Sequence, residues 1–300
     1  MQIYDLCLVW NWEHDADFVN AVNEACAARG LTLLSVSSHN LTESLSRLAG
    51  RKIGFRVYLD RASEADPAYL PLAQWAVTLG ARRINPRETA NRAYDKAAMH
   101  LAFLGEGIPT PYTILFPSCK DDPAPQPIDL TPLGKRFAVK PAFGGGGEGV
   151  VTEVCSFEQF LVERRSFPEQ KYLLQAYVTP RKTDGLPAWF RVICCFGEIH
   201  PSFWNTRTHV YTPLTAEAES RLGLGGLREV TERIARVCRL DLFSTEIALT
   251  EEDRLLVVDY VNDPIDLRLQ SRAADGVPDF IVRQISARIA DEAKKNSDGI

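Results

Sequence analysis

A lysine beside a run of glycines is the first pattern in this 300-residue chain that could do chemistry. Val139-Lys140-Pro141 leads into Gly144-Gly145-Gly146-Gly147-Glu148-Gly149-Val150, between two segments of strand-forming residues. Glycines let backbone N–H groups approach an anion closely, such concavities cradle phosphates, and the lysine adds a point charge. Because a strand follows the loop, it is neither a P-loop nor a dinucleotide turn, both of which open a helix. A flexible hairpin tip is the alternative. Asp95-Lys96 supplies a second lysine, within a segment that reads as a helix from Glu88 to Leu104, where a solvated lysine is the ordinary expectation.

Two acids suggest a different chemistry. With Glu251–Arg254 as a four-residue turn, Glu246 falls opposite Asp259 in a hairpin of Leu242–Leu249 and Leu255–Asn262. Carboxylates facing each other across a strand pair repel. Their neighbours are apolar, so a hard divalent cation between them would account for the pair, and oxygen ligands with a polyphosphate partner point to Mg²⁺. Asn262 offers a further oxygen. A hairpin shifted by one residue, or acids that reach solvent, is the alternative. Arg191, inside the apolar run Trp189-Phe190-Arg191-Val192, needs an anionic partner, either a phosphate or acyl phosphate or a structural carboxylate. The five histidines show neither HExxH nor zinc spacing, and no GxSxG elbow occurs. Asp241 and Glu251-Glu252-Asp253 read as solvated turn residues.

The elements that must position these groups alternate in period. Tyr4–Trp10, Leu31–Val36, Gly54–Leu59 and Arg82–Asn85 read as strands, separated by helices at Asp15–Arg29, Leu41–Leu48 and Leu70–Leu79. Such alternation predicts a small parallel α/β sheet, with ligands beyond the carboxyl ends of its strands, here Trp10-Asn11-Trp12-Glu13 and Asp60-Arg61-Ala62-Ser63. After Pro86 the pattern changes. Phe137–Lys140, Val150–Val154 and Tyr172–Val178 read as strands, Phe157–Arg164 as a helix, and Arg181–Pro187 as a mobile loop. Trp189–Phe196 with Ile199–Trp204 forms a hairpin, and Leu227–Arg239 a helix. A helix over about Pro278–Lys295 carries an apolar stripe including Phe280, Ile281, Ile285 and Ile289 that reads as core.

Composition narrows the function classes. Hydrophobic residues make up 45% and charged residues 24%, which excludes gross disorder. A formal charge of -5 leaves no basic surplus for a phosphate backbone, so no nucleic-acid partner is expected. Seven cysteines without a CxxC pair indicate reduced thiols and a cytoplasmic location. Ile3 to Trp10, interrupted by Asp5 and without a basic leader, does not read as a signal peptide. No run of eighteen apolar residues suggests a membrane span.

In order, these pieces resemble the ATP-grasp superfamily, whose members include D-alanine–D-alanine ligase, glutathione synthetase and the RimK-type glutamate ligases. The resemblance runs from Asn85 to about Arg268. It implies an α/β ATP-grasp fold, with residues 86–300 as the ATP-grasp domain, a lid at about 108–177, and residues 1–85 as a pre-ATP-grasp domain. Lys96 and Lys140 would contact nucleotide phosphates, with Gly144, Gly145, Gly146 and Gly147 as the lid's phosphate loop. Gln175, Ala176, Tyr177 and Val178 fall where the hinge strand holds adenine through backbone groups. Arg191 sits like the arginine on the transferred phosphate, and Glu246, Asp259 and Asn262 like the magnesium ligands.

The chain departs from the pattern twice. The common ending is acid-x-Asn, whereas Asp259 and Asn262 are three apart, so either a bulge intervenes or Asp263 takes one role. The hinge has Gln175-Ala176 where many members carry an acid. The resemblance implies ATP and Mg²⁺ as cofactors, and a ligase that joins a small-molecule or peptide carboxylate to an amine or thiol through an acyl phosphate. A kinase on the same fold and a non-catalytic ATP-binding protein are the alternatives. Trp10, Trp12, Arg61 and Arg268 are candidate substrate contacts by position, since arginines suit a carboxylate, with core or surface roles as the alternative, and homo-oligomer formation is left open.

Overall fold

The computed structural model describes residues 1–298. The first part is β1 (Gln2–Trp10), α1 (Ala16–Ala27), β2 (Leu33–Val36), α2 (Leu41–Ala49), β3 (Ile53–Arg61), α3 (Leu70–Thr78) and β4 (Arg82–Ile84). Its four strands form one parallel sheet in the order β2-β1-β3-β4. Successive side chains of a strand face opposite ways. Leu6 and Leu8 therefore join Phe18 and Val22 of α1 on one face, while Cys7 and Val9 join Leu48 of α2 and Leu72 of α3 on the other.

Next come α4 (Arg87–Tyr94), α5 (Lys96–Gly105), β5 (Thr113–Phe116), β6 (Phe137–Pro141), β7 (Val151–Val154), α6 (Phe157–Glu163) and β8 (Tyr172–Ala176). The helix expected over 88–104 is two helices. Asp95 breaks it with an extended ψ of 98° and caps α5 by accepting from the N–H groups of Ala97 and Ala98, the ordinary behaviour of aspartate at a helix start. The antiparallel sheet β5-β8-β6-β7 packs Phe137, Val139 and Leu174 against Phe157 and Phe160 of α6. Ala138, Lys140 and Gln175 fall on its opposite face by alternation. Strand β5 escaped the sequence reading because its proline-rich surroundings mask it, and β8 ends at Ala176 rather than Val178.

The remainder is β9 (Lys182–Thr183), β10 (Leu186–Pro187), β11 (Trp189–Cys195), β12 (Glu198–Trp204), β13 (Tyr211–Pro213), α7 (Ala216–Arg221), α8 (Gly226–Cys238), β14 (Leu242–Leu249), β15 (Leu255–Asn262) and α9 (Asp279–Asp298). The expected mobile loop at 181–187 is a small hairpin, turned by Asp184 and Gly185 at positive φ. The antiparallel sheet β13-β12-β11-β14-β15 buries Phe190, Val192 and Ile247 against Leu227, Val230 and Ile234 of α8. Helix α9 returns to the first sheet: Ile281, Val282, Ile285, Ile289, Ala290 and Ala293 lie in one core with Leu6, Leu8 and Phe18. Phe280 faces away from that stripe and is exposed. Asp241 is no free turn residue either, since Arg82 Nη2 donates to it at 2.7 Å.

Candidate active site

A cleft of 630 Å³ separates the inner face of the β5-β8-β6-β7 sheet from the five-stranded sheet, and every residue named from the sequence for nucleotide, phosphoryl or Mg²⁺ contact, apart from the alternative Asp263, lines it. The glycine loop joins β6 to β7 as a hairpin. Gly146 and Gly147 adopt φ of 61° and 78°, where an L side chain is strained. Gly145 lies against Tyr94, whose Oη would be 2.6 Å from an added Cβ. Lys96, the first residue of α5, donates its backbone N–H to Ala142 O and its Nζ to Gly144 O, so the helix start holds the loop.

Lys140 is not at a solvent-facing strand end, as its place before the loop suggested. It is 8% exposed, within a strand whose five residues are all buried. Its Nζ donates to Gln175 Oε1 at 2.8 Å and to the Val258 carbonyl at 3.0 Å. Both partners are neutral, and an ammonium has three donors. Burial pulls its pKa below the ordinary lysine value, against the pull of Asp259 and Glu246. A buried cation with dipolar partners and a donor to spare attracts an anion from the cleft.

Glu246 and Asp259 are register partners, flanked on both sides by register shifts. The turn is not the expected one: Leu249 pairs with Leu255, and Thr250 N bonds to Arg254 O, one residue out of the expected register. A bulge at Val258 absorbs the difference and restores the Glu246–Asp259 pair, while the Val258 carbonyl bonds Lys140. A second irregularity sets Asn262 opposite Ser244. It returns Asn262 to the face of Asp259, where its Nδ2 donates to Asp259 Oδ2 at 3.0 Å. Asp263 is instead surrounded by Asn85, Arg61, Asp60 and Glu64, and burial raises its pKa to about 6.

Arg191 is the register partner of Glu246 on the other side, so the three charges form a row across β11, β14 and β15. Its Nη1 donates to Glu246 Oε1 at 2.9 Å, its guanidinium also bonds Ser244 Oγ, and it lies 5.1 Å from the centre of the Trp204 ring. Trp189 Nε1 donates to the other Glu246 oxygen at 2.9 Å. Burial, with the Asp259 charge beside it, raises the Glu246 pKa in spite of Arg191. Burial acts the same way on Asp259 but is outweighed by Lys140, Lys96 and the Asn262 hydrogen bond, so its pKa is lowered.

Among the described residues no group of three or more His, Cys, Asp or Glu is arranged to hold a metal. The donor set here is two carboxylates and an amide. These are hard oxygen donors in a cleft that Lys96, Lys140 and Arg191 also line, which is the chemistry Mg²⁺ takes when a substrate phosphate completes its shell. The residues fit the ion.

The hinge residues enter the cleft differently. Gln175 is in the ladder on both sides, paired with Thr113 and Ala138, and its side chain is buried. The ladder ends at Ala176, and Tyr177 and Val178 continue along the cleft wall. Of the residues proposed to meet a substrate, Arg61 does not: it is buried, bonded twice to Asp15 at 2.9 and 2.6 Å and once to Ile265 O. Trp10 is outside the cleft lining, with its Nε1 on Ser35. Trp12 is also outside it, 5.6 Å beneath the Arg268 guanidinium, while Arg268 lines the cleft and is held by Asp266 and Asp275. The sequence reading missed most of this far wall: Trp204, Thr206, Arg207, His209, Tyr211, Asp266 and Asp275. Its one local signal is Asn205, whose side chain caps the N–H groups of Arg207 and Thr208 in a loop between aromatic residues.

No family model and no curated protein matches the sequence. Solved structures match over nearly the whole chain. An ATP-grasp RimK domain protein from Sphaerobacter thermophilus is 20% identical, covering 95% of this chain and 98% of its own, with a TM-score of 0.61. D-cycloserine synthetase is 17% identical over 97% and 99%, at 0.62. D-alanine–D-alanine ligase from Bacillus anthracis, complexed with ATP, is 13% identical over 99% and 97%, at 0.64. The chain has the ATP-grasp fold.

Proposed function

We propose that the chain is an ATP-dependent ligase that joins a carboxylate to an amine or thiol through an acyl phosphate, releasing ADP and phosphate. One observation carries this reading: three cations, Lys96, Lys140 and Arg191, surround the Glu246–Asp259 pair inside one cleft roofed by a glycine loop. Phosphoryl transfer needs charge neutralisation and positioning more than covalent chemistry from the protein, and this cleft offers both.

In this reading the backbone beyond Ala176, at Tyr177 and Val178, receives adenine. Lys96 and Lys140 hold phosphates against the loop of Gly144–Gly147. Glu246, Asp259 and Asn262 would hold Mg²⁺, which supplies charge neutralisation between the phosphates when bound. The substrate carboxylate oxygen attacks the γ-phosphorus and ADP leaves. Arg191 gives up part of its pairing with Glu246 to the transferred phosphoryl group. The acceptor then attacks the acyl carbon, phosphate leaves with the bond electrons, and one proton is lost from the acceptor. The far wall around Trp204, Tyr211 and Arg268 is the place for the carboxylate and its acceptor, and the glycine loop shields the acyl phosphate from water. Residues 86–300 supply the nucleotide machinery, and residues 1–85 the support behind it.

The test is release of ADP and phosphate, measured against pools of amino acids, peptides and other carboxylates with and without amines or thiols. Acceptor-dependent release of both products is expected. ADP without phosphate would make the protein a kinase, and no ADP with any pool would remove the enzyme reading.

A further inference from the structure

Lys140 is held at one end of a buried hydrogen-bond chain that no step above uses. Gln175, on the neighbouring strand, accepts from Lys140 Nζ through Oε1, and its Nε2 then donates to Tyr260 Oη at 3.2 Å. The amide has one workable orientation, because the reverse would set an NH₂ group against the ammonium. Tyr260 Oη, having accepted from Gln175, has its own hydrogen for His100 Nδ1 at 2.8 Å. Burial lowers the His100 pKa and so favours the neutral ring, and in the tautomer protonated at Nε2 its Nδ1 lone pair accepts from Tyr260 Oη. In that tautomer every donor in the chain points away from the lysine.

The chain also crosses the molecule. It leaves β6 and β8 of the lid sheet, passes through β15 one residue after Asp259, and ends on α5, four residues after Lys96. Gln175, Tyr260 and His100 are 1%, 2% and 3% exposed, so water does not compete for these bonds. Packing alone would be met by apolar side chains of the same shape, and fully satisfied buried networks of this kind fix a geometry. Since among the described residues Lys140 Nζ has only the Val258 carbonyl as its other partner, its position depends on Gln175 and hence on what orients Gln175.

We propose that Gln175, Tyr260 and His100 are positioning residues that fix Lys140 for the nucleotide and lock the lid sheet in register with the metal-binding strand and the Lys96 helix. This inference rests on the nucleotide reading of the cleft and adds the residues that set its affinity.

The full-length chain, with Mg²⁺ and ADP as probe, tests it by titration calorimetry alongside thermal melting. Tyr260→Phe keeps the ring and removes the chain's central link. Its ADP affinity should fall about threefold to tenfold, the worth of a neutral buried hydrogen bond. His100→Leu should weaken ADP similarly. His100→Asn, which places an amide oxygen near the position of Nδ1, should recover most of that loss. Phe103→Leu is the packing control: its ring contacts Tyr260 at 5.2 Å outside the hydrogen-bond chain, so melting should fall with ADP affinity unchanged. Equal ADP affinity in wild type, Tyr260→Phe and His100→Leu overturns the positioning role alone, as does an equal loss in Phe103→Leu. A wild-type chain that binds no ADP overturns the nucleotide reading, and this inference with it.

Discussion

Two arginine- and lysine-centred sites in this molecule are buried to a similar degree and satisfied very differently. Beneath the carboxyl ends of β1 and β3, Arg61 meets Asp15 through two bonds and spends a third on the Ile265 carbonyl. Phe18 lies 5.0 Å below its guanidinium. That cluster is closed, with charge matched to charge. Under the glycine loop, Lys140 has two neutral acceptors and no carboxylate in direct contact, while Glu246 and Asp259 face each other. That cluster is open, since positive and negative charge are both concentrated there and left incompletely paired. Closed burial staples the fold, and open burial leaves an electrostatic demand that a ligand can meet.

Removing one partner shows the contrast most strongly. Asp15→Ala should cost about 3–5 kcal/mol of stability by leaving a buried guanidinium unpaired. Urea denaturation would read this, and the variant that still folds should bind ADP as wild type does. Lys140→Met, similar in length and apolar, leaves the Gln175 and Val258 acceptors unpaired but removes a buried charge, so it should cost less, about 1–3 kcal/mol. Its ADP affinity should fall on the order of 100-fold, because a desolvated cation on a phosphate is lost. A large stability loss with intact ADP binding would make Lys140 another staple and erase the distinction.

The open site is legible in the sequence and the pairing of the closed one is not, for a physical reason. Glu246, Asp259 and Arg191 stand out as charges in apolar strands, and strand spacing places them on one face. The Glu246–Asp259 pairing held because two deviations, the shifted turn and the bulge at Val258, offset each other. The burial of Lys140 was hidden, since it depends on β8 and β15, which are distant in sequence. The same non-local packing hid the return of α9 to the first sheet, the Arg61–Asp15 pair and the far wall from Trp204 to Asp275. The helix break at Asp95 carried a readable local cue, an aspartate ahead of the short apolar run that α5 buries.

The carboxylate pair sharpens the comparison within the open site. Asp259→Asn keeps the shape and the Asn262 contact region but removes one of two charges offered to Mg²⁺. Turnover should fall on the order of 100-fold, with ADP affinity changing less than tenfold, and raised Mg²⁺ should recover part of the turnover. Glu252→Gln, on the exposed turn of the same hairpin, should change neither. Calorimetry of ADP with Mg²⁺, set beside steady-state rates, separates these effects. An Asp259→Asn chain that turns over normally would leave the pair as a structural feature only.

Asp263 lies between the two regimes, in a carboxylate-rich pocket where Arg61 is already committed to Asp15. Burial raises its pKa from the ordinary 3.8 to about 6, with Asp60 and Glu64 adding to the rise against Asn85 and Arg61. For an acid whose folded pKa is raised, the folded state binds the extra proton between the two values. Stability therefore falls as pH rises from about 4 to about 6, and the full penalty persists above that window. Asp263→Asn removes the ionising group, so it should stabilise the protein by about 1–3 kcal/mol at pH 7. The gain should shrink as pH falls through that window and vanish only well below 3.8, where the wild-type carboxyl is protonated in both states. Melting curves of both chains across that range read the difference directly. A gain that does not depend on pH would mean that the substitution acts through packing, and a loss at pH 7 would place Asp263 with the closed, stabilising charges of Arg61 and Asp15.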